Sequence, residues 1–102
     1  MYQDFPKKWQ ELIEDLNFSQ PTPIQKEAFD PISQGQNLLG ISPTGTGKTL
    51  AYLWPSLLRL KAKKAQQLLI LSPNTELAGQ IFEVCKEWAQ PLDLTAQLFL
   101  SG

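Results

Sequence analysis

Asn37-Leu-Leu-Gly-Ile-Ser-Pro-Thr-Gly-Thr-Gly-Lys-Thr49 is the stretch on which the reading of this chain turns. A short apolar run ends at Ile41, Ser42-Pro43 breaks it, and a Gly-rich turn opens into an amphipathic segment. Two further runs carry the same punctuation. Gln67-Leu-Leu-Ile-Leu71 precedes Ser72-Pro73, and Ala96-Gln-Leu-Phe-Leu100 precedes Ser101-Gly102, so the three serines lie 30 and then 29 residues apart. That interval matches one strand-plus-helix unit of a parallel sheet, about 30 residues long. Strand propensity is weak, because the chain has 17 Leu and a single Val. Length and breakers nevertheless favour buried strands over helices for these runs.

Between the runs the period becomes helical. Leu50, Leu53, Trp54, Leu57 and Leu58 form an i, i+3, i+4, i+7, i+8 stripe, and Leu77, Ile81, Val84, Cys85 and Trp88 form the next. Pro55 should kink the first of these. Upstream, Trp9, Leu12, Ile13 and Leu16 mark a helix with Pro6 near its start. Ile24, Ala28 and Ile32 mark another, opened by Thr22-Pro23, deformed at Pro31 and stopped around Gly35. The order α-α-β-α-β-α-β predicts an α/β fold, a three-stranded parallel sheet with flanking helices and right-handed crossovers.

Composition narrows the chemistry. The 102 residues carry 9 Lys+Arg against 10 Asp+Glu, no His and one Cys. Without His, Ser-His-Asp and Cys-His catalysis and imidazole metal sites are excluded within this chain. The lone Cys85 cannot form an intrachain disulfide, which suits a reducing compartment. No apolar run approaches the roughly 18 residues of a membrane span. The charged N-terminus, Met1 to Leu12, does not read as a signal peptide. A soluble, cytoplasmic chain is expected.

Ser42-Pro-Thr-Gly-Thr-Gly-Lys-Thr49 is placed to hold phosphates. A Gly-rich turn between strand and helix lets backbone N–H groups converge on anionic oxygens, aided by the helix N-terminus. Gly45 and Gly47 give the turn its freedom. Lys48 is expected to reach the β- and γ-phosphates and the Thr49 hydroxyl to ligate Mg²⁺. The general motif starts with Gly where this chain has Ser42. Phe18-Ser-Gln-Pro-Thr-Pro-Ile-Gln25 admits two readings. Thr22, Pro23 and Gln25 form a T-x-x-Q capping box; alternatively the Gln25 amide, donor and acceptor at once, pairs with the N6/N7 edge of adenine. Different atoms of one side chain could serve both.

Taken together, Phe18…Pro21-Thr-Pro-Ile-Gln25, then Ser42 to Thr49, then Pro73-Asn-Thr-Glu-Leu-Ala78 resemble the Q motif, motif I and motif Ia of the DEAD-box RNA helicases, in that order. The resemblance implies a RecA-like P-loop domain, of which residues 1–102 are the N-terminal part of the first domain, with the Q motif at about 16–25. It implies ATP and Mg²⁺ as cofactors and RNA as partner. Gln25 then reads adenine, Phe18 supports that loop, and Ser42, Pro43, Thr44, Gly45, Thr46, Gly47, Lys48 and Thr49 form the nucleotide site, with Lys48 and Thr49 as the catalytic pair. Pro73, Asn74 and Thr75 are the implied RNA contacts.

This chain departs from the family pattern in several places. Asn17 replaces the usual Gly, Thr75 replaces the Arg of motif Ia, and Tyr2 or Phe5 would have to serve as the aromatic that stacks on adenine. Asn74 or Thr75 could instead cap the following helix. Ser101-Gly102 stands where the family usually has a Gly-Gly turn, and nothing resembles Asp-Glu-Ala-Asp. The only Arg, Arg59, lies with Lys61, Lys63 and Lys64 in what reads as a solvated helix end. A fragment of an ATP-dependent RNA helicase is therefore expected, inactive by itself; the alternative is a free-standing, non-catalytic ATP- or RNA-binding module.

Overall fold

The structure is a computed structural model and describes residues 1–63 and 65–101, leaving Lys64 of the basic cluster and Gly102 of the Ser-Gly terminus outside the described residues. Four helices follow one another: α1 (Lys7–Asp15), α2 (Pro23–Ser33), α3 (Lys48–Ala62) and α4 (Thr75–Ala89). Short 3-10 turns lie at Tyr2–Asp4 and Gln90–Leu92. The chain divides into two compact units, Met1–Ser56 and Leu57–Gly102.

All four helices predicted from periodicity are present, and their ends have local causes. Thr22 caps α2 by a complete capping box, and Pro23 occupies the first turn, where its missing N–H costs nothing. The helix then runs through Pro31 to Ser33 and closes on Gly35 at φ 78°. The Gln36 N–H donates to the Pro31 carbonyl and the Gly35 N–H to that of Ile32. This is a Schellman end, in which a left-handed residue lets the last carbonyls find donors. Helix α1 ends in the same way at Asn17, φ 59°: Phe18 N–H donates to Ile13 and Asn17 N–H to Glu14. Asn17, where the resemblance implies Gly, is a residue that tolerates the left-handed region. Pro55 is fully buried inside α3, which continues to Ala62.

The core of the first unit is aromatic. The Phe5 ring is 4% exposed, and its centroid lies 5.2 Å from Trp9 and 5.2 Å from Trp54, both met edge-on. Phe29 at 5.9 Å and Tyr2 at 5.7 Å complete the set. Gln10 Nε2 holds the N-terminal turn over it by donating to the Phe5 carbonyl at 2.8 Å. In the second unit Leu57, Cys85, Trp88, Ala89 and Leu92 are buried, and burial pushes the free Cys85 thiol pKa up. Lys61 Nζ donates to the Leu92 carbonyl at 2.9 Å, which ties the end of α3 to the turn after α4.

The expected parallel sheet is not there. Among the described residues no strand forms, and no ladder hydrogen bond joins segments 37–41, 67–71 and 96–100. Among the described residues the RecA-like sheet expected from rhythm and resemblance is therefore replaced by four helices joined by segments without regular structure. The cause lies in burial. A parallel strand needs both faces covered, yet Leu39 and Ile41 are each 86% exposed, Leu71 84% and Phe99 84%. Period-two alternation survives in 67–71, where Ile70 is half-buried while Leu69 and Leu71 are exposed, so one face alone finds cover. Leu-rich runs add little intrinsic strand preference to offset that.

The Asn17 end makes a measurable claim. Asn17→Gly should leave stability unchanged or raise it by a few tenths of a kcal/mol, while Asn17→Ala should cost about 1 kcal/mol, since Ala resists the left-handed region. Urea denaturation of the two variants checks this. Equal midpoints would mean that the helix does not end at Asn17.

Candidate nucleotide site

The loop between Ile41 and α3 turns on two glycines in the left-handed region, Gly45 at φ 84° and Gly47 at φ 81°. They differ in surroundings. A Cβ on Gly45 would meet nothing within 4 Å, whereas a Cβ on Gly47 would fall on Gln25 Nε2 and lie 3.2 Å from Gln25 Cδ and 3.5 Å from Thr22 Oγ1. Gly47 is glycine for two reasons at once: its backbone conformation and the amide packed against it.

That amide is the best-defined element of the site. Gln25 is 5% exposed, and a buried amide must find partners for both ends. Its Oε1 accepts from the Thr22 N–H at 2.9 Å, and its Nε2 donates to the Gly47 carbonyl at 3.2 Å. The Gln25 N–H in turn donates to Thr22 Oγ1 at 3.4 Å. The capping box foreseen from spacing therefore exists, and its Gln reaches across 22 residues to the Gly-rich loop. Spacing does not reveal that link, because nothing in T-x-x-Q says where the second amide atom points.

The Gly47 carbonyl also accepts from Ala51 N–H at 3.0 Å, so α3 starts at the residue that Gln25 holds. Lys48, exposed, and Thr49, half-buried, occupy its first two positions. The first-turn N–H groups of a helix have no intrahelical acceptor and face outward with the positive end of its dipole. Within the loop, Thr46 Oγ1 donates to the Pro43 carbonyl at 2.7 Å and lies 2.8 Å from Ser42 Oγ. Pro43, Thr44 and Gly45 are exposed, and Ser42 and Thr46 are half-buried.

Residues around this centre fall out variously. Phe18 is 37% exposed at the Schellman end of α1. Phe5 is enclosed by the aromatic core, and Tyr2, half-buried, meets Trp54 at 5.6 Å in a T-shaped pair. At the start of α4, Asn74 Oδ1 accepts from Leu77 N–H at 2.8 Å, so Asn74 rather than Thr75 is the cap. Pro73, Asn74 and Thr75 are all exposed. At the basic end of α3 Lys63 is exposed, but Arg59 is half-buried with its Nε donating to Gln66 Oε1 at 3.2 Å, and Lys61 is bonded to Leu92, so the solvated end expected of this cluster is found only in part. Among the described residues no helix is long and apolar enough to cross a membrane.

Residues 22–102 match the family model for the DEAD/DEAH box helicase. The chain belongs to this family. It is 44% identical over 86 residues to the probable ATP-dependent RNA helicase YfmL of Bacillus subtilis, covering 83% of this chain and 23% of that protein. It is also 38% identical to the DEAD-box ATP-dependent RNA helicase CshB of Bacillus cereus, over 97% of this chain and 24% of the relative. To the ATP-dependent RNA helicase SrmB of Escherichia coli it is 39% identical, over 90% of this chain and 22% of the relative. The chain thus spans about a quarter of the length of these curated relatives.

For a DEAD/DEAH box chain with this loop, the two glycines should respond differently to one methyl group. Gly45→Ala incurs only the left-handed backbone penalty, about 1–2 kcal/mol. Gly47→Ala incurs that and must also displace a bonded, buried amide. Thermal melts should show the larger fall for Gly47→Ala; equal falls would mean that Gln25 is not seated on the loop.

Proposed function

We propose that this chain is the N-terminal part of the ATP-binding domain of an ATP-dependent RNA helicase, with the Q motif at about 16–25. The observation that carries the reading is the Gln25 side chain, which joins the Thr22 cap to the Gly47 carbonyl of the phosphate loop. The residue that would read the base and the loop that would hold the phosphates thereby form one connected piece. An amide oxygen has two lone pairs and an amide nitrogen two hydrogens, so Gln25 keeps one of each for the adenine edge after both protein bonds are made.

The residues fit Mg-ATP. Gly45 leaves the turn open, with no atom within 4 Å of where its Cβ would be. Lys48 supplies a cation and Thr49 a hydroxyl at the start of α3. These two, with the backbone of Ser42 to Gly47, would hold the phosphates and the metal. Mg²⁺, when bound, neutralises charge on the phosphate oxygens. Phe18 would brace the base-reading loop from the end of α1. A cytoplasmic location accords with the single buried thiol.

RNA is the proposed partner in the whole protein, met at Pro73, Asn74 and Thr75. Asn74 Oδ1 is committed to the cap, so what this end offers a phosphate is chiefly the α4 N-terminus and the Thr75 hydroxyl. Without the family's Arg, one cationic contact is lost there. Lys48 and Thr49 would bind the ground state, which by itself does not lower a chemical barrier. Arg59 does not replace an arginine finger, since it follows the loop by about ten residues along α3 and is bonded to Gln66. The 102-residue chain alone should therefore show negligible ATPase activity.

Two variants test the reading. Lys48→Ala should abolish Mg-ATP binding by titration calorimetry; unchanged affinity would overturn it. Gln25→Ala should lower stability by about 0.5–2 kcal/mol through the lost cap and also reduce the preference for ATP over GTP. A fall in melting temperature with selectivity intact would leave Gln25 a structural residue only.

A further inference from the structure

The phosphate loop carries a hydrogen-bond chain of its own, made by side chains that the nucleotide reading does not need. Thr46 Oγ1 donates to the Pro43 carbonyl at 2.7 Å, and Ser42 Oγ lies 2.8 Å from the same Thr46 oxygen. A hydroxyl has one proton to give. Because Thr46 gives its proton to Pro43, Ser42 must be the donor to Thr46. The direction is thus fixed: Ser42 hydroxyl to Thr46 hydroxyl to Pro43 carbonyl. Hydrogen bonds in such a series polarise and strengthen one another.

The placement of this chain matters more than its strength. Thr46 sits between Gly45 and Gly47, both left-handed, and glycine imposes no backbone preference of its own there. Gln25 holds the Gly47 carbonyl from one side. On the other side the clasp returns the middle of the loop to its beginning at Ser42 and Pro43. The Ser42–Thr46 bond is part-buried, and so partly shielded from competing water.

We propose that Ser42 is a positioning residue for the phosphate loop, holding it through Thr46 in the shape that receives a triphosphate. The proposal rests on reading the loop as that site. It also explains what Ser does at a position where the general motif has Gly. Order that Ser42 and Thr46 impose beforehand need not be imposed when the ligand binds.

The test uses the full chain, titrated with Mg-ATP, with inorganic tripolyphosphate plus Mg²⁺, and with adenosine. Ser42→Ala should weaken both triphosphates by about three- to tenfold, as expected for one hydrogen bond, and leave adenosine unchanged. Thr46→Val, similar in shape but without the hydroxyl, should give the same loss. Ser42→Ala added to Thr46→Val should have no further effect, while Thr46→Ser should retain wild-type affinity. A residue that only stabilises the fold would show none of this pattern, and melting temperatures of the four variants expose that case. Unchanged or tighter triphosphate binding in Ser42→Ala, or additive losses in the double variant, overturns the clasp. The Lys48→Ala control separates the two readings. If Lys48→Ala weakens triphosphate binding and Ser42→Ala does not, the clasp fails and the site stands; if neither does, or the unaltered chain binds no triphosphate, both fail.

Discussion

One buried amide organises the first unit. Gln25 cannot be left in a water-poor setting without partners, and it finds them in the Thr22 N–H and the Gly47 carbonyl. The first bond starts α2, and the second fixes the residue from which α3 starts. A helix cap and a Gly-rich loop, 22 residues apart in sequence, therefore share a side chain. Replacing Gln by Glu would remove the donor that Gly47 needs, and Asn is one methylene too short for a reach set by the cap. The capping role of Gln25 and the base-reading role proposed for it are not rivals, since the cap also fixes where the amide lies.

What the sequence discloses most reliably is what is decided within a few residues. Thr22-Pro23-x-Gln25 reads as a helix start because every partner in that box is local, and Gly35 reads as a stop because a left-handed residue is needed where α2 ends. Asn17 shows the same logic less openly. Set beside a Gly-based pattern it is a departure, but physically it performs the same turn. The caps of α2 and α4 are legible on these terms, although the choice of Asn74 over Thr75 depends on which side chain sits in extended backbone ahead of the helix.

The sheet fails on the same criterion. Length and breakers, which are local signals, make segments 37–41, 67–71 and 96–100 read as strands, but a strand exists only through neighbours that pair with it and cover it. Leu39, Ile41, Leu71 and Phe99 lack that cover. The candidate site divides similarly. The start of α3 at Lys48 and Thr49 is legible because the Gly-rich motif and the helix start coincide. The Gln25–Gly47 bond and the burial of Phe5 under Trp9 and Trp54 are not, because no local pattern says which partner a side chain will meet. The aromatic spacing at the N-terminus thus records core packing in the first unit.

A loop built on two left-handed glycines poses a general problem that this chain meets from two directions. Glycine makes the turn possible and also makes it soft, because it loses more backbone freedom on ordering than any other residue. Softness would undercut a site whose donors must converge on one anion. Gln25 stiffens the side toward α3, and the Ser42–Thr46–Pro43 series stiffens the side toward Ile41. Each brace ends on a backbone carbonyl of the loop, so neither consumes an N–H group that an anion requires. In both braces a carbonyl, not an N–H group, bears the restraint. That division follows from charge: a site for phosphate can commit its carbonyls to internal bonds, but not its amide hydrogens.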